Sequence, residues 1–197
     1  MATDESSVSA LPDVRLIESQ VRSALAEDLA SGDLTAALLP AGQRSRGELI
    51  TRQSAVLCGQ AWFDAVFRLL DPGVAITWDA ADGERISEGQ RLCVVEGPTR
   101  ALLTGERTAM NYLQTLSGTA TRARLYADTV AGLPVRVLDT RKTIPGLRVQ
   151  QKYAVRCGGC HNHRMGLFDA ILIKENHILA AASIAAALEA ARRVSCL

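Results

Sequence analysis

Eight cationic residues, Arg136, Arg141, Lys142, Arg148, Lys152, Arg156, Arg164 and Lys174, fall between positions 136 and 174, opposed only by Asp139 and Asp169. His161 and His163 lie among them. The whole sequence of 197 residues is nearly neutral, with 22 Lys+Arg against 21 Asp+Glu. Its first forty positions lean the other way, with Asp4, Glu5, Asp13, Glu18, Glu27, Asp28 and Asp33 against Arg15 and Arg22. A basic segment in a neutral chain points to a local anionic ligand, not to a polyanion spread over the surface. The near balance of charge also excludes a general nucleic-acid binder, which would be strongly basic. Arginine offers a planar fork for carboxylates and lysine a point charge for carboxylate or phosphate oxygens. The bland alternative for the same residues is a solvated helix face.

Spacing sorts these cations into three groups. The apolar run VRVLD at 135–139 reads as a short strand that leads into Asp139-Thr-Arg141-Lys142-Thr-Ile-Pro-Gly146. A second run, AILIK at 170–174, reads as a buried strand ending in Lys174-Glu175-Asn-His177. Between them stands Gly158-Gly-Cys-His161-Asn-His163-Arg164. Helices fit residues 147–157 and 183–193, the latter with Ser183 as its N-cap. Strand and helix alternating over short connections predict parallel β/α units, and in barrels of such units the C-terminal strand ends carry the site. The three cationic groups would then share one rim and form a pocket for a small, multiply charged anion. Asp139 suits orienting its neighbours or capping a turn better than acting as a base.

The upstream half has a different rhythm. Residues 14–28 place Val14, Ile17, Val21 and Leu25 on one side of an amphipathic helix. Ser31-Gly32 breaks it, and Asp33 can cap the next element. A strand pair with a bend near Ser54 is expected over 47–58, a helix over 61–70, a strand over 74–78 and another over 91–96. Asp71-Pro72-Gly73 and Asp82-Gly83 mark turns. From 99 to 130 the pattern is helical, with Gly118 expected to split it into two helices. These readings predict an α/β protein: an α+β N-terminal domain over 1–117, then the first units of a β/α barrel over 118–197.

No apolar run approaches the roughly 20 residues of a membrane span. The first twelve residues carry Asp4 and Glu5 and no basic residue, unlike a secretory leader, so a cytoplasmic protein with reduced thiols is expected. Its five cysteines, Cys58, Cys93, Cys157, Cys160 and Cys196, are an odd number. The run Cys157-Gly-Gly-Cys160-His161-Asn-His163 crowds four possible ligands into seven residues. Structural zinc sites use two separated pairs, so no metal is expected there.

The run LDTRKTIPGLRVQQKYAVRCGGCHNHRMGLFDAILIKENHI (138–178) resembles the quinolinate phosphoribosyltransferases. Glu27-Asp-Leu, Gly32-Asp-Leu-Thr35, Glu106-Arg107, Asn111 and Leu116-Ser-Gly118 match the same family in the same order. The resemblance covers the chain from about residue 14. It implies a reaction of quinolinate, a pyridine 2,3-dicarboxylate, with phosphoribosyl pyrophosphate and Mg²⁺, giving nicotinate mononucleotide, pyrophosphate and CO₂ for NAD biosynthesis. By the resemblance, Arg141, Arg164 and Lys174 would hold the carboxylates, Lys142 and His163 would complete the cationic lining, and Lys142 and Lys174 would take catalytic roles. Arg107 would be the arginine a neighbouring subunit contributes, which implies a homodimer or higher homo-oligomer with shared sites.

Members of that family continue through further β/α units bearing a glutamate, an aspartate and phosphate loops. The expectation for these 197 residues is therefore weak quinolinate binding without turnover, an incomplete barrel, and apolar surface exposed on the 183–194 helix and beside 170–174. Asp139, Asp169 and Glu175 are the acids nearest to hand. The other readings open at this point are a non-catalytic truncated paralogue that binds ligand or a full-length subunit, and a nicotinate-type phosphoribosyltransferase.

Overall fold

The computed structural model describes residues 10–194. The leader reading, which rests mainly on residues 1–9, and Cys196 lie outside that range. The first helix, α1 (Val14–Leu29), starts where the Asp13 carboxylate accepts the backbone N–H of Arg15, and it buries Ile17, Val21 and Leu25. Asp33 then accepts the N–H groups of Thr35 and Ala36 and starts a short 3-10 turn (Ala36–Leu38), the capping role its position predicts.

Five strands and two helices come next along the chain: β1 (Arg44–Ile50), β2 (Ala55–Val56), α2 (Gln60–Leu70), β3 (Ala75–Trp78), β4 (Arg85–Ile86), β5 (Arg91–Pro98) and α3 (Thr99–Thr129). β5 is the central strand of an antiparallel sheet ordered β1-β5-β3, while β2 and β4 form a separate ribbon. The strand pair expected over 47–58 is therefore not a pair. β1 turns to β5 and β2 to β4, because each finds its hydrogen-bonding partner further along the chain. One face of α2 carries Trp62, Phe63, Val66 and Phe67, which pack with Leu92, Cys93 and Val95 of β5 and with Ala109, Leu113 and Leu116 of α3.

The helix α3 runs unbroken for 31 residues. Gly118 does not split it. The cost of a mid-helix glycine is about 1 kcal/mol, and the row of buried side chains from Leu113 to Ala123 along the same helix outweighs it. This helix joins the two halves of the chain, since α4 (Arg148–Cys157) packs against it and adds Tyr153, Ala154 and Cys157 to the same core. The fold is mixed α/β.

The second half is less regular than the sequence predicts. Residues 135–139 and 170–174 form no strand. Leu138 makes a single parallel bridge to His161, fixed by His161 N–H to Val137 O (2.9 Å) and Asp139 N–H to His161 O (3.0 Å). A parallel strand needs a neighbour along its length, and among the described residues these runs make only that one β-bridge. A short helix that the sequence did not suggest, α5 (Glu175–Ala180), follows Lys174, and α6 (Ile184–Val194) begins where Ser183 Oγ accepts the N–H of Ala186. Ile171, Leu172, Ile184 and Leu188 are exposed, the apolar surface expected there.

Candidate anion-binding site

The bridge between 137–139 and 161 brings two cationic loops side by side. Asp139 sits at the junction and organises it. One carboxylate oxygen accepts Lys152 Nζ at 2.5 Å and the His163 backbone N–H at 2.8 Å, and the other accepts Asn162 Nδ2 at 2.7 Å. Lys152 also donates to His163 O at 3.0 Å, and Asn162 to Lys152 O at 2.9 Å. Lys152 is only 1% exposed. A charged amine is held in the core because an anion and a carbonyl replace its water. Asp139 thus orients the loop and is fully engaged in doing so.

His163 and Arg164 leave this knot together. The Arg164 N–H donates to His163 Nδ1 at 2.7 Å, which leaves the imidazole proton on Nε2 in the neutral ring. Arg164 Nη1 donates to Ala170 O at 2.9 Å, while its Nε is buried without a partner. Across the bridge, Arg141 is half-buried, its Nε is likewise without a partner, and its guanidinium makes no hydrogen bond to the described residues. Lys142 is exposed beside it, its N–H on Thr140 Oγ1. Unpartnered guanidinium donors beside further cations are groups arranged for an acceptor that the protein does not supply. Arg124, Arg156 and Arg164 each place an outer nitrogen on a backbone carbonyl, so among the described residues with a buried, unpartnered Nε only Arg141 leaves its whole guanidinium open.

Stitching from α4 holds this loop. Arg148 reaches Thr143 Oγ1 and Met165 O, each at 3.3 Å, and Gln151 Oε1 accepts the N–H of Ile144 at 2.8 Å. Asp169 accepts the N–H groups of Gly166 and Met165, which hold its carboxyl below the usual carboxylate range. Lys174 is exposed at the start of α5, where its N–H donates to His177 Nδ1. Its tie to the other cations runs only through the 164–170 loop. Sequence reasoning missed Lys152, Arg148 and Asn162 as organisers. The signal was available in Lys152, a cation within the predicted helix over 147–157.

Arg107 stands elsewhere. It is exposed on α3 and lines a cavity of about 340 Å³ together with Glu27, Asp28, Asn111, Tyr112 and Gln150. No described contact joins it to Arg141, His163 or Arg164. The Cys157–Cys160 run is not a unit either. Cys160 Sγ donates to Ala123 O at 3.2 Å, Cys157 turns towards Cys58, and His161 is exposed.

The carboxylates at the rim do not make a place for Mg²⁺, which takes one or two open carboxylates with substrate phosphates and water. Asp139 and Asp169 are committed to their hydrogen bonds within the loop, and Glu175 stands exposed on its own. The chemistry of this rim is therefore derived from its cations, with no step through a metal ion.

An α/β chain whose cationic loops at 139–142 and 161–164 lie side by side defines the class, and comparison with known proteins narrows it. Residues 33–117 match the N-terminal domain and residues 119–195 the C-terminal domain of the family described as quinolinate phosphoribosyl transferase. The probable nicotinate-nucleotide pyrophosphorylase (carboxylating) of Synechocystis sp. is 38% identical over 98% of this chain and 65% of its own length. The nicotinate-nucleotide pyrophosphorylase (carboxylating) of Mycobacterium leprae is 43% identical over 87% of this chain and 62% of its own. The crystal structure of NadC from Streptococcus pyogenes superposes with a TM-score of 0.91 at 37% identity, over 95% of this chain and 67% of that one. The chain belongs to the quinolinate phosphoribosyltransferase family. It spans about two-thirds of the length of these relatives.

Proposed function

We propose that the chain recognises quinolinate for phosphoribosyl transfer. In that reaction the pyridine nitrogen attacks the anomeric carbon of phosphoribosyl pyrophosphate, pyrophosphate departs, and the 2-carboxylate leaves as CO₂ to give nicotinate mononucleotide. The observation that carries the reading is the Arg141 guanidinium, beside Lys142 and across the bridge from His163 and Arg164, without a hydrogen bond to any described residue. Arg141 and Arg164 take the roles of forks for the two carboxylates, His163 donates through Nε2, and Lys142 and Lys174 act as catalytic point charges. Both substrates are anions, so bringing them together needs a cationic setting of low dielectric. Loss of CO₂ leaves an electron pair on a ring carbon, which the adjacent ring nitrogen, now cationic, and a placed lysine stabilise until it is protonated.

Two further parts of the reading concern partners and place. Arg107 reaches the rim of a second copy of the chain, a role supported by its exposed seat on α3 with no described contact to Arg141, His163 or Arg164. The protein works in the cytoplasm, where cysteines stay reduced. Among the described residues no helix is long and apolar enough to cross a membrane.

The test is consumption of phosphoribosyl pyrophosphate by the purified chain with Mg²⁺, with quinolinate or nicotinate as acceptor. Quinolinate-dependent consumption supports the reading. Consumption that nicotinate supports equally well would assign the nicotinate-type reaction instead, and quinolinate binding without consumption would leave a ligand-binding protein.

A further inference from the structure

The cationic rim is tied twice. At its base, the Leu138–His161 bridge and the Asp139 carboxylate on the His163 N–H hold the chain at 137–139 against the chain at 161–163. Further out, Arg148 ties the same two loops again. It opens α4, and its Nε donates to Thr143 Oγ1 while its Nη1 donates to Met165 O, each at 3.3 Å. Along the chain, Arg141 and Lys142 fall between the base and Thr143, and Arg164 falls between the base and Met165. The rim cations therefore stand on segments fixed at both ends.

Each anchor of Arg148 is coupled in turn to a rim arginine. The Thr143 N–H donates to Arg141 O at 3.0 Å and closes a tight turn across Lys142. Met165 follows Arg164 directly, and its N–H donates to Asp169 Oδ2 at 2.6 Å, so its backbone is held on both sides. Gln151, also on α4, serves only the first loop, through the Ile144 N–H at 2.8 Å. Outside the Asp139 knot, Arg148 is the one described side chain that bonds both loops.

A guanidinium is planar and rigid, so its Nε and Nη1 stand at a fixed separation, and loops bonded to them share it. Lysine places its donors on a single nitrogen and cannot span both acceptors in that way. The two carboxylates of an aromatic acid are likewise fixed by their ring. Forks preset to the spacing of neighbouring ring carbons meet such a pair without rearrangement, whereas carboxylates set further apart engage one fork and leave the other empty.

We propose that Arg148 is a positioning residue for substrate selection: by holding the two loops at one separation, it sets Arg141 and Arg164 for carboxylates on neighbouring ring carbons. It acts through those two arginines. This role rests on the quinolinate reading and adds to it the residue that makes the pair of forks selective.

Calorimetric titration of quinolinate and of pyridine-3,5-dicarboxylate into the full chain compares two acids of equal charge and different spacing. The wild type is expected to prefer quinolinate. In Arg148→Lys one carboxylate of quinolinate loses its fork, so its Kd should rise about tenfold, while that of the 3,5-acid should change less than about twofold. Thr143→Val removes the acceptor of Nε but keeps the guanidinium, and it should move the ratio the same way even if Arg148→Lys fails to fold. A merely structural role would lower Tm and weaken both acids together, with the ratio unchanged. That result, or equal affinity of the wild type for the two acids, would overturn the selective role and leave the quinolinate reading standing. A wild type that binds neither acid would overturn both.

Discussion

Lys152 shows how much of this site is decided by side chains that touch no ligand. Its ammonium is buried against Asp139, and the pair holds the backbone of His163 in place. Removing one member strands the other as a buried charge, which costs about 3–5 kcal/mol. Lys152→Met is expected to lose that much stability in urea denaturation, and adding Asp139→Asn should restore part of it. Equal losses in the single and double variants would mean that the charge pairing is not what matters. Asp64 gives a pH signature of its own. Its carboxyl accepts Trp78 Nε1 at 2.9 Å, and burial pushes it above its ordinary value of 3.8, with Arg68 opposing the shift. The folded state therefore holds the proton more tightly than the unfolded state. The contribution of Asp64 to stability is greatest below 3.8 and is lost as pH rises through its raised folded value. Asp64→Asn keeps the acceptor for Trp78, so its stability advantage over wild type should open across that window and vanish below it. An unchanged pH profile would contradict the assignment. At this scale the sequence was informative about charge and silent about pairing. The cations of 136–174 were visible as types, but which of them is buried depends on α4 lying against α3, a contact between distant positions.

Elements carry the next level, and α3 is the one on which both halves hang. Gly118 is exposed within it, and a Cβ there would meet nothing within 4 Å. Gly118→Ala should therefore stabilise the protein by about 0.5–1 kcal/mol, raising Tm by about 1–4 °C. A fall in Tm would mean that the helix bends there. Gly158 is the opposite case. A Cβ there would lie 2.4 Å from Ala120 O and 2.5 Å from Ala123 Cβ, so Gly158→Ala should push α4 off α3 and lower Tm in the same scan. Helical spacing made α1, α2, α3 and α4 legible, because a buried stripe repeats within each segment. The expected strands at 135–139 and 170–174 were not realised, since an apolar β-branched run states a preference while a strand needs a partner along its edge. α5 was missed because its N-cap is Lys174 and not one of the usual Ser, Thr, Asp or Asn.

For the whole molecule, no described contact joins Arg107 to Arg141, His163 or Arg164, and in the proposed function a second copy brings them together. A C2 pair would give each site one partner arginine. Mixing Arg107→Ala and Lys174→Ala chains should then rebuild about one intact quinolinate site in four, read as recovered binding capacity. No recovery, with both variants folded and associated, would place Arg107 outside the site. The central claim is that Arg141 and Arg164 hold the two carboxylates, and calorimetric titration of quinolinate into the wild type, Arg141→Ala, Arg164→Ala and Cys160→Ser tests it most directly. Each lost charge-assisted pair should cost about 1.5–3 kcal/mol, roughly 10- to 150-fold in Kd, with Cys160→Ser unchanged. Wild-type affinity in Arg141→Ala would contradict the account.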